Sequence, residues 1–150
     1  MSKIFALRSR LSLQPTYLKL ATVACIVVGA AISLAPFFPG THFTIGETSL
    51  SQGAIWSTGT FIALFTAGPL TFLAGAGLLL TKGWARPLLI VLPLPQALPF
   101  HLVHWFLAGP DPSWPAPISV TVILFIFWAA FWYLYLYRYA GALEYFADAP

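Results

Sequence analysis

Charge is missing from this chain over four long stretches, and that absence decides what it can fold into. Between Lys19 and Glu47 lie 27 residues without an acid or a base, and between Glu47 and Lys82 another 34. Between Arg86 and Asp111 lie 24, and between Asp111 and Arg138 lie 26. A helix crossing the hydrocarbon of a bilayer needs roughly 20 predominantly apolar residues, so each gap can hold one span. Composition agrees. Of the 150 residues, 59% are hydrophobic and 7% charged, against roughly 45–50% and about 25% in an ordinary soluble domain. Too few polar residues remain to cover a water-facing surface, which excludes a soluble enzyme, a disordered tail and a nucleic-acid-binding module. The reading is an all-α integral membrane protein, a single four-transmembrane-helix bundle whose first partner is the lipid bilayer.

The spans are expected at about 17–37, 54–80, 87–107 and 118–139, after a basic leader over 1–16. They are joined by a loop of about 15 residues around His42 and Glu47, a tight turn at Thr81–Ala85, and a connection from Gly109 to Pro115. That last segment holds Pro110, Pro112 and Pro115, so it cannot continue a helix. All seven basic residues, Lys3, Arg8, Arg10, Lys19, Lys82, Arg86 and Arg138, fall on one side of this four-span plan. Cytoplasmic loops collect Lys and Arg, so both termini are expected inside, with the segments 38–53 and 108–117 outside. A bacterial inner membrane is the expected location. The acid-free leader, with Arg8 and Arg10, also suits a mitochondrial transit peptide or a short helix on an anionic membrane surface. The stretch Gly75–Leu80 followed by Trp84-Ala85-Arg86-Pro87 resembles the inner hairpin of many small bacterial membrane proteins, a likeness that implies no function.

Two helix faces read as packing surfaces. Ala21, Cys25, Gly29 and Ser33 recur every fourth residue in the first span, and Gly59, Ala63, Ala67, Thr71 and Gly75 in the second. Residues four apart share a face, and in lipid helices associate by close approach across such small-residue stripes. The stripes would pack the first two spans together, or one of them would dock a partner subunit. The fourth span carries nine aromatics between Phe125 and Tyr139. Its tyrosines suit an interfacial belt. Phe125, Trp128, Trp132 and Tyr135 fall near one stripe, a wall that would suit a flat ligand such as a pigment, quinone or haem, or a neighbouring subunit.

The third span holds the candidate chemistry. Pro93, Pro95 and Pro99 each remove a donor and free the carbonyl four residues earlier, so this helix is expected to be kinked and buried in protein along the kink. Gln96 is placed to satisfy the freed groups. His101 and His104, three apart with Trp105 beside them, project from one face near the outer interface. Together with His42, Glu47 and Asp111 they form a candidate metal set, because imidazole and carboxylate ligate zinc, copper or iron. Gln96, His101, His104 and Trp105 are the candidate cofactor-binding residues. Equally, the histidines would serve packing alone.

Missing residues narrow the function further. One cysteine, Cys25, cannot run disulfide-relay chemistry. No Asp or Glu lies within an expected span, which argues against a small proton-coupled exporter built on an intramembrane carboxylate. No phosphate loop, nucleophile elbow or His-Glu-x-x-His motif occurs. The expectation is therefore a non-catalytic accessory subunit of a larger membrane complex, with partner membrane subunits. The alternative is a metal-, haem- or small-ligand-binding membrane protein or redox enzyme centred on His101 and His104. A channel through the kinked third span is a further possibility.

Overall fold

Proline and glycine punctuate a chain that is otherwise helical. The computed structural model describes residues 10–45, 48–57, 60–98, 101 and 115–147. Helix α1 runs Thr16–Leu34, directly after Pro15, which is extended (ψ 148°). It tightens into a 3-10 turn at Ala35–Phe37, where Pro36 sits, and Gly40 turns the chain with φ 78°. An antiparallel hairpin follows, β1 (His42–Ile45) and β2 (Thr48–Ser51), with His42 opposite Ser51 and Ile45 opposite Thr48. Then come α2 (Gln52–Ser57), α3 (Thr60–Leu79), α4 (Ala85–Val91) and α5 over residues 93–98, with His101 helical beyond it. Helices α6 (Pro115–Arg138) and α7 (Ala140–Ala147) complete the chain.

Three of these helical segments, Thr16–Phe37, Thr60–Leu79 and Ser119–Arg138, are long and apolar enough to cross a membrane. The first and last agree with the expected spans. Within the expected second span the described residues form α2 and α3. The expected loop around His42 is a hairpin instead, its ladder pairing the backbone groups that a loop would leave to water. The expected third span is two pieces among the described residues. Leu92 keeps helical dihedrals (φ −52°, ψ −37°), yet the run α4 stops there, because Pro93 brings no amide hydrogen.

Helices α1 and α3 pack antiparallel with their backbones almost in contact. A Cβ on Gly68 would lie 2.7 Å from the Ser33 nitrogen, and one on Gly75 would lie 2.9 Å from the Ile26 nitrogen. A Cβ on Gly29 would collide with the Phe72 backbone. The small-residue stripes thus face each other within the chain, with Ala63, Ala67 and Thr71 buried between them. Gly59 lies outside the described residues.

Helix α6 runs antiparallel to α1 and to α4. Its Trp132 and Leu136 enter a core with Leu18, Cys25, Leu78 and Leu89. At that end α3 closes with Thr81 in the left-handed region (φ 57°), where Lys82 N–H donates to Gly77 O at 2.8 Å and Thr81 N–H to Leu78 O at 3.2 Å. This is a Schellman closure, with Thr in the position that usually holds Gly. Helix α7, which the hydropathy pattern did not mark, folds back over the same end. Its Ala142 and Phe146, one turn apart, are buried, and Phe146 joins the core of α1, α4 and α6. The Tyr145 hydroxyl lies 3.1 Å from Leu78 O and 3.2 Å from Leu79 O and accepts from Gln14 Nε2 at 3.1 Å. Arg10, Lys19, Lys82, Arg86 and Arg138 all belong to this end, while Phe37, Trp56, Phe61 and Phe65 cluster at the hairpin end.

Candidate functional site

The break before Pro93 releases the carbonyl of Leu89, four residues back, from its helical donor. In a dry interior that oxygen needs another partner, and the indole of Trp128 on α6 supplies one, Nε1 donating to Leu89 O at 2.9 Å. Gln96 does not take this role. It lies nearly two turns beyond Leu89 and reaches α3 instead, where its Nε2 donates to Thr71 Oγ1 at 2.7 Å. Thr71 in turn donates to Ala67 O at 2.6 Å. Because that threonine hydrogen is spent on a carbonyl, Thr71 Oγ1 can only accept from Gln96, which fixes the amide orientation. One Gln96 N–H and its carbonyl oxygen are left for what lies in front of it.

In front of it is a cleft of about 530 Å³, within the range usual for small-molecule sites. Val28 and Ile32 of α1 and Ala67 of α3 form one wall. Pro93, Gln96 and Ala97 of α5 form a second, and Thr121, Phe125 and Trp128 of α6 a third. Gln96 and Thr121 are its polar side chains in an otherwise apolar lining. Thr121 Oγ1 lies 3.1 Å from Nε2 of His101, so the histidine reaches the cleft through that hydroxyl. Helix α5, expected to be buried in protein along its kink, is buried there only in part, with Leu92 buried and Pro93 and Pro95 half-buried. Pro93, Gln96 and Ala97 are half-buried on the cleft side, whereas Leu94 and Leu98 are exposed.

The aromatic stripe of α6 faces inward. Trp132 is buried and Phe125, Trp128 and Tyr135 are half-buried. The rings of Trp128 and Trp132 sit 5.7 Å apart at 60°. Trp128 also lines a second, smaller groove of about 300 Å³ with Tyr17, Cys25 and Phe131, so one indole separates the two spaces.

Of the candidate residues named from sequence, the structure brings Gln96 and His101 to the cleft region. His42 is exposed on β1 and is not part of the cleft wall. Glu47, His104, Trp105 and Asp111 lie outside the described residues. Among the described residues no three His, Cys, Asp or Glu side chains gather as a metal set. Sequence reasoning missed Thr71, Thr121 and the bonding role of Trp128. A usable signal existed for the last: an indole donor on an aromatic span beside a stretch that prolines deprive of donors. The chain matches no protein-family model, no curated protein and no solved structure.

Proposed function

We propose that this chain is a four-span protein of a bacterial inner membrane, with both termini cytoplasmic, that holds one flat, largely apolar molecule in the cleft beside Gln96. Helices α4 and α5 would belong to the third of the four spans. Placing the described cations at one end and an aromatic cluster at the other supports that orientation. The observation that carries the ligand reading is the fixed Gln96 amide. Its hydrogen bond to Thr71 presents one donor and one acceptor to an apolar space walled by Phe125 and Trp128. A ring with a carbonyl or hydroxyl on its edge, as in the quinone class, matches those groups in chemistry and shape. His101 would act through Thr121, tuning the polarity of the cleft mouth.

The test is native mass spectrometry of the protein released from its own membranes, wild type beside Gln96→Leu and Ala97→Phe. The reading expects an added small organic mass on the wild-type chain, weakened in the first variant and excluded in the second, whose ring fills the cleft. A wild-type chain without such a mass, or variants that keep it, would overturn the reading.

A second reading, an accessory subunit of a larger membrane complex, is favoured by α6. Only 11% of that span is buried within the chain, against 50% of Thr60–Leu79, and Ile123, Phe127 and Leu134 are exposed on it. Another polypeptide co-purifying through that face would support it. The stripes of small residues do not, since α1 and α3 use them on each other.

A further inference from the structure

The end of the molecule opposite the cleft holds an arginine whose charge no side chain among the described residues balances. Arg86, in the first turn of α4, sets its guanidinium carbon 3.9 Å from the ring centre of Phe146 and 5.7 Å from that of Tyr137. Phe146 is buried, so its ring is a fixed floor. Arg86 Nε is sealed in the packing without a hydrogen-bond partner, while the residue as a whole is only half-buried. Its terminal amino groups are therefore what faces outward. Glu144 is the one acid among the described residues of this end. It stands two positions from Phe146, about 200° around the helix, and so points away from the guanidinium. Arg10 lies close enough to α7 to act electrostatically on Tyr145, and Lys82 and Arg138 add two more cations to the same end. A guanidinium held over an aromatic ring keeps its fork of donors free for a planar or tetrahedral anion.

Exposed apolar groups share this end with the cation. Trp84, Tyr139 and Leu143 are all open at the same end, a setting that a free anion in water has no use for and a lipid does. On the membrane reading above, this end lies at the cytoplasmic interface, where anionic headgroups concentrate. We propose that Arg86, stacked on Phe146 and Tyr137, binds the phosphate of an anionic phospholipid, with α7 lying along the interface beside the lipid's glycerol region. The terminal nitrogens of Arg86 donate to the phosphate oxygens, and the aromatic rings keep the fork from swinging away.

The test is lipid titration of the intact chain in detergent, read by native mass spectrometry, with phosphatidylglycerol, phosphatidylcholine and inorganic phosphate as separate probes. Wild type is expected to retain phosphatidylglycerol in preference to phosphatidylcholine. Arg86→Gln should weaken that retention on the order of tenfold, as loss of a charge-assisted hydrogen bond does. Arg86→Lys, which keeps the charge but loses the fork, should fall between them. Lys82→Gln serves as the control, because Lys82 is exposed and makes no such stack. Equal retention of the two lipids overturns the proposal, as does a Lys82→Gln loss equal to that of Arg86→Gln. Inorganic phosphate competing as well as the lipid would overturn the lipid assignment. Should Arg86→Gln fail to fold, Phe146→Leu tests the same site, keeping the charge and removing the ring, with the same direction expected. None of these outcomes bears on ligand retention beside Gln96.

Discussion

The indole of Trp128 donates to the carbonyl oxygen of Leu89 at 2.9 Å, and Leu89 is the residue whose carbonyl Pro93 leaves without a helical donor. A defect written into one helix is thereby repaired by a side chain of another. Trp128→Phe keeps most of the ring but strands the carbonyl, which should cost about 1–3 kcal/mol. Pro93→Ala restores an amide that can reach Leu89. Thermal unfolding in detergent should then show Trp128→Phe costing less on the Pro93→Ala background than on the wild type, since the donor it removes has become redundant. Additive losses would separate the two residues and leave the bond without energetic weight.

Close approach of α1 and α3 gives a prediction with an internal control. A Cβ at Gly68 would lie 2.7 Å from the Ser33 backbone nitrogen and 2.5 Å from its Oγ. Gly68→Ala must therefore push the helices apart, at a cost of about 1–3 kcal/mol by the usual penalty for overpacking. Gly53→Ala, at a position with open space around it, should be neutral or slightly stabilising, because α2 gains helix propensity. The ratio of folded to aggregated protein after mild heating distinguishes them. Equal behaviour would mean that the two helices can separate without loss.

How much of this was readable beforehand depends on which interaction does the specifying. The apolar runs of α1, α3 and α6 were legible because bilayer length and charge exclusion act on every residue of a span. The facing stripes were legible in part, since Gly29 and Gly75 matter by having no side chain at all, whereas Gly68, which meets Ser33, lies off the four-residue repeat. By contrast, α7 is only eight residues, and its Ala142 and Phe146 become meaningful once α4 and α6 are there to receive them. The hairpin was hidden for a similar reason, since β1 and β2 have four residues each and stand on backbone pairing. Gln96 stood out as a polar group in an apolar stretch, but its partner did not. Nothing in sequence spacing tells whether an amide 25 positions from Thr71 faces that threonine or its own kink.

The relay behind Gln96 makes the cleft testable from its far side. Thr71→Val has nearly the same shape but removes both the acceptor for Gln96 and the donor to Ala67. It should cost about 1 kcal/mol in stability and free the Gln96 amide to turn. Retention of any cleft-bound molecule should fall although Thr71 is not part of the cleft lining. Retention unchanged from wild type would show that Gln96 holds its orientation by other means.

Thr81 closes α3 with φ 57°, a conformation that costs an L-residue with a Cβ roughly 1–2 kcal/mol. Thr81→Gly should relieve part of that strain and raise the unfolding temperature, since the two closing bonds to Gly77 and Leu78 use only backbone atoms. Thr81→Val, which loses the hydroxyl bond to Leu80 O and keeps the branched side chain, should lower it. Ranking the three proteins by melting temperature checks the closure. Glycine falling below threonine would contradict the strain argument.

Tyr145 ties α7 to the end of α3, and its burial has a consequence for alkaline stability. Desolvation pushes its hydroxyl above the ordinary value of 10.0, against smaller lowering influences from the Gln14 bond and Arg10. A raised value means that the folded chain holds this proton more tightly than the unfolded chain does. The corresponding stability is complete below the ordinary value and is lost as pH climbs from there through the raised one. At neutral pH, Tyr145→Phe removes a hydroxyl that serves Leu78 and Leu79 and should cost about 1 kcal/mol. Gln14 still bonds Leu78 O at 3.2 Å in that variant, which limits the loss. As pH rises past the ordinary tyrosine range, the unfolded wild type is stabilised by losing this proton, which the variant lacks, so the wild type's advantage should shrink. Unfolding of both proteins in detergent across pH 8 to roughly 11 reads the difference directly. Curves that stay parallel would place the Tyr145 hydroxyl in water and detach α7 from the end of α3.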